Sequence, residues 1–243
     1  MDFKQVSKDY SIEKETKHWW FSTRFNFIEK SLGLIDSQKI KVIEYGCGTG
    51  QNLYFICNKS KHKNKITQLT GIDENFEWTN IWDWTKKFPK IEILKKLIKN
   101  EKYNFLICMD VLEHIENDLE SLKLFVNGIE KNSLVLITVP AFQKFWTNHD
   151  EILKHKRRYN KEQLLELARN SGLKEIEVKY FFSFLHFLFP ILKIFLNKKN
   201  ITNKINNPNY LINIILKLIG KIEFFLGGSN FFGTSVIGVF RKN

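Results

Sequence analysis

The chain has 243 residues, 43% of them hydrophobic, and 38 Lys and Arg against 26 Asp and Glu give a formal charge of +12. That length accommodates one large domain with a full core, and the hydrophobic fraction suits a globular protein. The three cysteines, Cys47, Cys57 and Cys108, have no metal-ligand spacing, which argues against a cysteine metal site and for reduced thiols in the cytosol.

The charge fits nucleic acid or an anionic membrane surface, and it equally fits drift in a chain rich in Lys, Asn and Ile. The 22 Phe hint at an apolar partner surface. Met1–Lys17 is polar and mixed in charge, so neither a signal peptide nor an anchor is expected there. Residues 1–38 read as an amino-terminal helical cap, with a helix over Glu13–Leu34. Its aromatics, Trp19, Trp20, Phe21, Phe25 and Phe27, serve either as core or as a cover over a ligand. Arg24 is either a surface charge or a guanidinium that grips a carboxylate with two hydrogen bonds.

Residues 39–243 read as the main domain, and Lys41–Asn52 is its organising stretch. A short apolar run, Val42-Ile43, ends in Glu44; Gly46, Gly48 and Gly50 follow, and then a helix over Gln51–Cys57. This is a strand, a tight turn and a helix start. Glycine there permits positive φ and close approach of a ligand to the backbone, and the helix start offers N–H groups to an anion. Gln51 stands where the last glycine of the G-x-G-x-x-G dinucleotide fingerprint would be, which weighs against a nicotinamide enzyme.

The second strand, Ile66–Asp73, ends in Asp73, 29 residues after Glu44, where a carboxylate can accept from ribose hydroxyls. A tryptophan-rich helix is expected over Phe76–Phe88, and a weak strand over Ile91–Leu94. Tyr103–Met109 is a buried strand leading into Asp110-Val-Leu-Glu-His114. A helix over Asn117–Ile129 follows, with Asn117 as its cap, and then the strand Ser133–Val139. Alternating apolar strands and amphipathic helices indicate an α/β fold, a doubly wound and mostly parallel sheet. A polar loop, Ala141–Asn160, carries Trp146, His149, Asp150 and His155. After the helix Lys161–Ser171 and the strand Leu173–Lys179 come two apolar segments, Tyr180–Leu196 and Leu211–Leu226. They form a helical insertion at about 180–230, ahead of the last strand, Ser235–Arg241. Neither reaches the ~18–20 uninterrupted apolar residues of a spanning helix.

Glu44-Tyr-Gly-Cys-Gly-Thr-Gly50, Gly71-Ile-Asp73, Asp110-Val-Leu-Glu-His114 and Leu136-Ile-Thr-Val-Pro140 resemble the motifs of class I methyltransferases that use S-adenosyl-L-methionine (SAM). The Asp110–His114 run is similar to the branch holding ubiquinone-type and sugar or polysaccharide O-methyltransferases. His18–Arg24 and His149–Tyr159 resemble a bacterial group linked to cell-surface glycan or lipid assembly. The resemblance implies a Rossmann-like sheet of seven strands with an antiparallel last strand. It implies that Gly46, Cys47, Gly48 and Gly50 pass under SAM, with Glu44 and Asn52 beside them. Asp73 would hold the ribose, Met109 and Asp110 would contact the cofactor, and Arg24 would grip its carboxylate. The product would be S-adenosyl-L-homocysteine. The adenine contact is unassigned, because Lys95-Lys96-Leu97-Ile98 lacks the usual acid.

A hydroxyl acceptor benefits from a general base, and histidine titrates near neutral pH. His149, His155 and His114 follow the fourth and fifth strands, with His149 favoured because Asp150 adjoins it. No metal is expected. The expected acceptor is a small molecule, a glycan or a lipid-linked molecule. An RNA or DNA methyltransferase is the first rival; the Asp/Asn-Pro-Pro-Tyr run of amino-methylating nucleic-acid enzymes is absent, which weighs against nucleic acid. A non-catalytic SAM-binding adaptor is the second. The expected location is the cytoplasm, with the inner face of a membrane as the site of peripheral attachment. The apolar segments supply a lid, a homodimer face or a membrane-surface hairpin.

Overall fold

The computed structural model describes residues 11–74, 79–96, 102–196 and 209–243; for 79–81 and 190–196 it describes the backbone alone. The part of the expected Phe76–Phe88 helix before Thr79 lies outside the described residues. So do Leu97 and Ile98 of the unassigned adenine contact, most of the polar link 197–209, and the first ten residues.

The strands are β1 (Ile40–Tyr45), β2 (Ile66–Ile72), β3 (Ile91–Leu94), β4 (Tyr103–Met109), β5 (Ile129–Pro140), β6 (Leu173–Phe181) and β7 (Ser235–Lys242). They form one seven-stranded sheet in the order β3-β2-β1-β4-β5-β7-β6. β1 to β5 are parallel, and β7 runs antiparallel to both β5 and β6. The expected doubly wound sheet is present. Its strand order reverses between β1 and β4, where open α/β sheets place their ligands.

Successive residues of β1 serve two cores, as the period of two dictates. Val42 joins the layer made with α2 (Trp19–Gly33) and α3 (Gln51–Asn58). Ile43 joins the layer made with α4 (Asp118–Asn127) and α6 (Lys161–Asn170). The amino-terminal segment is two helices, the single turn α1 (Ile12–Glu15) and then α2. Phe25, Phe27, Ile28 and Leu32 of α2 are buried in the same core as β1 and β4, while Trp19, Trp20 and Phe21 stay half-buried.

Four local expectations change. Thr79–Lys87 is a 3-10 segment and not an α-helix. Asn117 holds the cap position of α4, but its side chain makes no bond to the helix. β6 runs on through Tyr180 and Phe181, so the first apolar helix, α7, spans Ser183–Leu196 and continues through Pro190. Phe181, Phe182, Leu185, Leu188 and Phe189 of the first apolar segment therefore do not share one helical face. Phe181, Phe182 and Phe189 are buried, Phe181 edge-on to Phe27 at 4.4 Å.

The second apolar helix, α8 (Tyr210–Phe225), packs on α2. Gly220 allows the close approach: a Cβ there would lie 2.4 Å from Thr23 Oγ1. Asn213 Oδ1 accepts from Trp19 N–H at 2.8 Å. The Glu223 carboxylate accepts from the N–H groups of Phe182 and Ser183, at 3.0 and 2.8 Å, and so fixes the start of α7.

Candidate active site

The turn after β1 is set by backbone bonds. Gly46 and Cys47 donate their N–H groups to Ile72 O, at 2.8 and 3.1 Å, tying the turn to β2. Gly48 N–H donates to Asp73 Oδ2 at 2.8 Å. Gly46 has φ +65, and a Cβ there would lie 2.5 Å from Val111 Cγ2, so glycine lets the segment after β4 close against the turn. Gly50 has φ +81 and forms the left-handed start of α3; its missing Cβ leaves room for the Trp84 ring. Trp82 Nε1 donates to Gly48 O at 2.8 Å and Trp84 Nε1 to Thr49 O at 3.2 Å. The two indoles thus cover the outer side of the turn.

Glu44 is buried at the end of β1. Asn52 Nδ2 donates to its Oε1 at 2.6 Å and also lies 3.5 Å from Met109 Sδ. Glu44 Oε2 is buried with no hydrogen-bond partner. Burial pushes the Glu44 carboxyl up to about 8. Burial, then the Glu44 charge, raises the Cys47 thiol, which is a packing group and not a nucleophile.

Across the crevice, Arg24 is buried. Its Nη1 donates to Asp110 Oδ2 at 2.5 Å and its Nη2 to Thr138 Oγ1 at 2.6 Å. Thr138 Oγ1 in turn donates to Asp110 Oδ1 at 2.9 Å. The Trp20 ring lies beside the guanidinium, 5.8 Å from centroid to Cζ. Asp110 has φ +56, and Phe142, just past β5, has φ +55. Both loops leave the sheet in a conformation that costs energy for a residue with a side chain, a pattern common at functional sites.

The histidines gather beyond β4 and β5. His114 lies in a 3-10 turn directly after β4, and His149 in α5 (Asn148–Ile152). The adjacency that favoured His149 does not become a contact with its neighbour's carboxylate. Asp150 closes a capping box with Thr147 and turns its carboxylate inward. There it accepts from His155 Nδ1 at 2.9 Å and from Arg158 Nε and Nη2 at 2.8 and 3.0 Å. Burial alone would raise Asp150, but the bonds from His155 and Arg158 hold it well below the usual carboxylate range. His155 meets His114 edge to face, with ring centroids 4.6 Å apart. Burial, then His155, lowers His114 to about 4; burial also lowers His149. Both rings are neutral at pH 7.

Lys156 and Arg157 stitch the basic run onto the β4 loop. Lys156 N–H donates to Glu113 O at 2.6 Å, and Arg157 pairs with Asp118 at 3.2 Å. The spatial grouping brings together Arg24, Glu44, Asn52, Met109 and Asp110 at one end of the crevice, and His114 and His155 at the other. Motif reading passed over Trp82, Trp84, Thr138, Glu113 and Arg158. The tryptophan density of 78–84 and the Arg157-Arg158 pair beside His155 were the available signals.

A glycine turn after β1, an acid at its base, an acid after β2 and a parallel sheet reversing at β1/β4 define the class I SAM-dependent methyltransferase fold. The chain belongs to the methyltransferase domain family, whose model matches residues 13–178. It is similar to a ubiquinone biosynthesis O-methyltransferase of Rickettsia typhi, 27% identical over 145 residues, covering 52% of this chain and 57% of the relative. It is also similar to a tRNA U34 carboxymethyltransferase of Sulfurimonas denitrificans, 24% identical, covering 49% of this chain and 40% of that one. The chain thus spans about half the length of the curated relatives it matches. Among solved structures it resembles the phosphoethanolamine N-methyltransferase 2 of Haemonchus contortus in complex with SAM, with a TM-score of 0.59 and 14% identity. That likeness covers 97% of this chain and 58% of the other.

The residues present fit SAM. The partnerless buried Glu44 Oε2 beside the turn suits a cationic group; the terminal nitrogens of Arg24 are bonded to Asp110 and Thr138, so it would meet a cofactor carboxylate only by exchanging one of those bonds.

Proposed function

We propose that this chain moves the methyl group of SAM to a hydroxyl oxygen of a small-molecule, glycan or lipid-linked acceptor. The observation that carries this reading is the His155–Asp150–Arg158 array on the same edge as the Arg24–Asp110 pair. Arg24 would hold the cofactor carboxylate, Glu44 its ammonium and Asp73 its ribose, with Met109 and Asp110 lining the crevice. SAM supplies an electrophilic methyl on sulfur and leaves as S-adenosyl-L-homocysteine. The chain must align the hydroxyl behind that methyl, which contributes ~7–11 kcal/mol. As the oxygen–carbon bond forms, the hydroxyl proton passes to the imidazole of His155, which Asp150 orients and whose positive charge it offsets.

The test is His155→Ala against His149→Ala, with transfer of radiolabelled methyl followed in lipid, glycan and RNA fractions. His155→Ala lowers turnover by roughly 100–10,000-fold, the usual worth of a general base, while SAM affinity holds. Equal loss of turnover and affinity means that His155 only shapes the pocket. A larger turnover loss in His149→Ala restores His149 as the base. The nucleic-acid alternative has the tRNA enzyme among its supports. Against it, Arg157 and Arg158 spend their guanidinium groups on Asp118, Asp150 and backbone carbonyls. Salt-sensitive RNA binding would favour that alternative.

For the lipid-linked acceptor, α8 provides the support. Leu211, Ile215, Leu218, Ile222 and Phe225 are all exposed, a helical stripe turned away from α2, and Phe231 extends it. A cavity of about 600 Å³ between Phe184, Ile219, Leu226 and Phe232 opens beside it. Lys17, Lys59 and Lys217 lie near one another at the same helix. An apolar stripe flanked by lysines suits the plane of an anionic leaflet. Among the described residues no helix is long and apolar enough to cross a membrane. Wild type should float with anionic vesicles at low salt, and a variant with Ile215, Leu218 and Phe225 changed to Ser should not. A dimer in solution that the same variant dissociates would make the stripe a homodimer face instead.

A further inference from the structure

Glu113 is a buried carboxylate that the methyl-transfer reading leaves without a task. Its Oε2 is sealed from solvent and has no hydrogen-bond partner. Such a group needs an explanation, because a lone buried carboxylate costs far more than a paired one. Two imidazoles stand against it: the ligand-capable atoms of Glu113, His114 and His155 all lie within 4.8 Å of one another. The two residues from the β4 loop lie 42 and 41 positions before the one from beyond α5, so no spacing in the sequence marks the cluster.

One histidine is already held from behind: the His155 ring bonds Asp150 through Nδ1 at 2.9 Å. A neutral imidazole that donates from one nitrogen presents a lone pair on the other. That is how metal-ligating histidines are oriented, with a carboxylate or carbonyl behind the ring fixing its tautomer. Asp150 is itself locked by the Arg158 fork. His114 is exposed, so the cluster can be reached from solvent on that side.

We propose that Glu113, His114 and His155 form a binding site for one divalent cation of the zinc class. Two imidazoles and a carboxylate with an open position make a set such ions take, whereas magnesium prefers oxygen ligands alone. Ligand atoms around a tetrahedral zinc stand about 3.4 Å apart, given bonds of roughly 2.0–2.2 Å. The three groups, within 4.8 Å of one another, must close to that span when the ion binds. The ion lies on the acceptor side of the crevice, two residues past Val111 at the glycine turn. There it would lower the pKa of a coordinated hydroxyl, deepening the acceptor reading above: with the ion bound, the outward nitrogen of His155 is a ligand and the proton of the more acidic oxygen passes to water, whereas the metal-free site uses His155 as the base.

The full-length protein, stripped with chelator and desalted, is titrated with zinc chloride by calorimetry, and bound metal is counted after a second desalting. One zinc per chain is expected. His114→Ala, at an exposed position, and His155→Ala each weaken zinc binding by about tenfold or more. Both should keep a cooperative melt. His149→Ala retains the metal. Sub-stoichiometric binding, affinity unchanged in His114→Ala, or equal heat from magnesium chloride overturns the site. SAM affinity, read on the same stripped samples, tests the methyltransferase reading by itself, so either idea can fail while the other stands.

Discussion

The two ends of the crevice are held by different forces. At the β1–β2 end backbone groups do most of the holding: Gly46, Cys47 and Gly48 donate N–H groups to Ile72 O and the Asp73 carboxylate, and two indoles bond the turn's carbonyls. At the β4–β5 end side-chain charges do it, through Arg24, Asp110 and Thr138 and through Asp150, His155 and Arg158. Those bonds join residues as far as 114 positions apart. A cradle of backbone bonds is intolerant of bulk. A charge lattice tolerates bulk at its edge but titrates. The contrast can be broken by substitution at either end.

Gly48→Arg should have the largest effect. Its φ of +54 is a conformation that residues with a side chain rarely adopt, and a long cationic chain would stand at the turn, so SAM binding by calorimetry should fall to the detection limit in a folded protein. Retained binding would remove the turn from the cofactor site. Arg24→Ala comes next. It leaves Asp110 and Thr138 without their cation, so SAM affinity falls and the fold loses about 1–3 kcal/mol. At this chain length that is roughly 2–4 °C of melting temperature per kcal/mol. A lower melting temperature with unchanged SAM affinity would make Arg24 purely structural.

Two histidines outside that lattice should also show in pH. Burial, then Lys217, lowers His18 to about 4, and burial, then His155, lowers His114 to about 4. Each folded pKa lies below the unfolded value near 6.5, so the native state binds fewer protons than the unfolded chain. Stability is therefore fully present above pH 6.5 and is lost as pH falls toward 4. Melting curves should slope across that window, less steeply in His114→Gln; an identical slope would show that His114 is not among the titrating groups. The smallest effect belongs to Trp82→Phe. It removes one indole bond to Gly48 O, worth about 0.5–1.5 kcal/mol, and the drop should appear in chemical denaturation with the unfolding slope unchanged.

Local sequence reached far at one end and little at the other. The apolar run Val42-Ile43, the acid Glu44, three spaced glycines and Asp73 prescribe a strand, turn, helix and strand almost without reference to the rest of the chain. Alternation of such units dictated the parallel sheet. What pairs with what in the loops was decided by tertiary packing. Asp150 adjoins His149, yet the capping box aims its carboxylate at His155. Phe181 and Phe189 share apolar character with Ile215 and Phe225, yet the first pair is buried and the second exposed, because β6 extends to Phe181 and α8 docks on α2 through Gly220. Glu113, His114 and His155 meet only because the loop after β5 folds back over the end of β4, where Lys156 N–H bonds Glu113 O. Periodicity and turn chemistry act over a few residues, so the sequence alone determines elements and their order. The direction of a side chain in a loop depends on partners distant in the chain, which only the closed fold supplies.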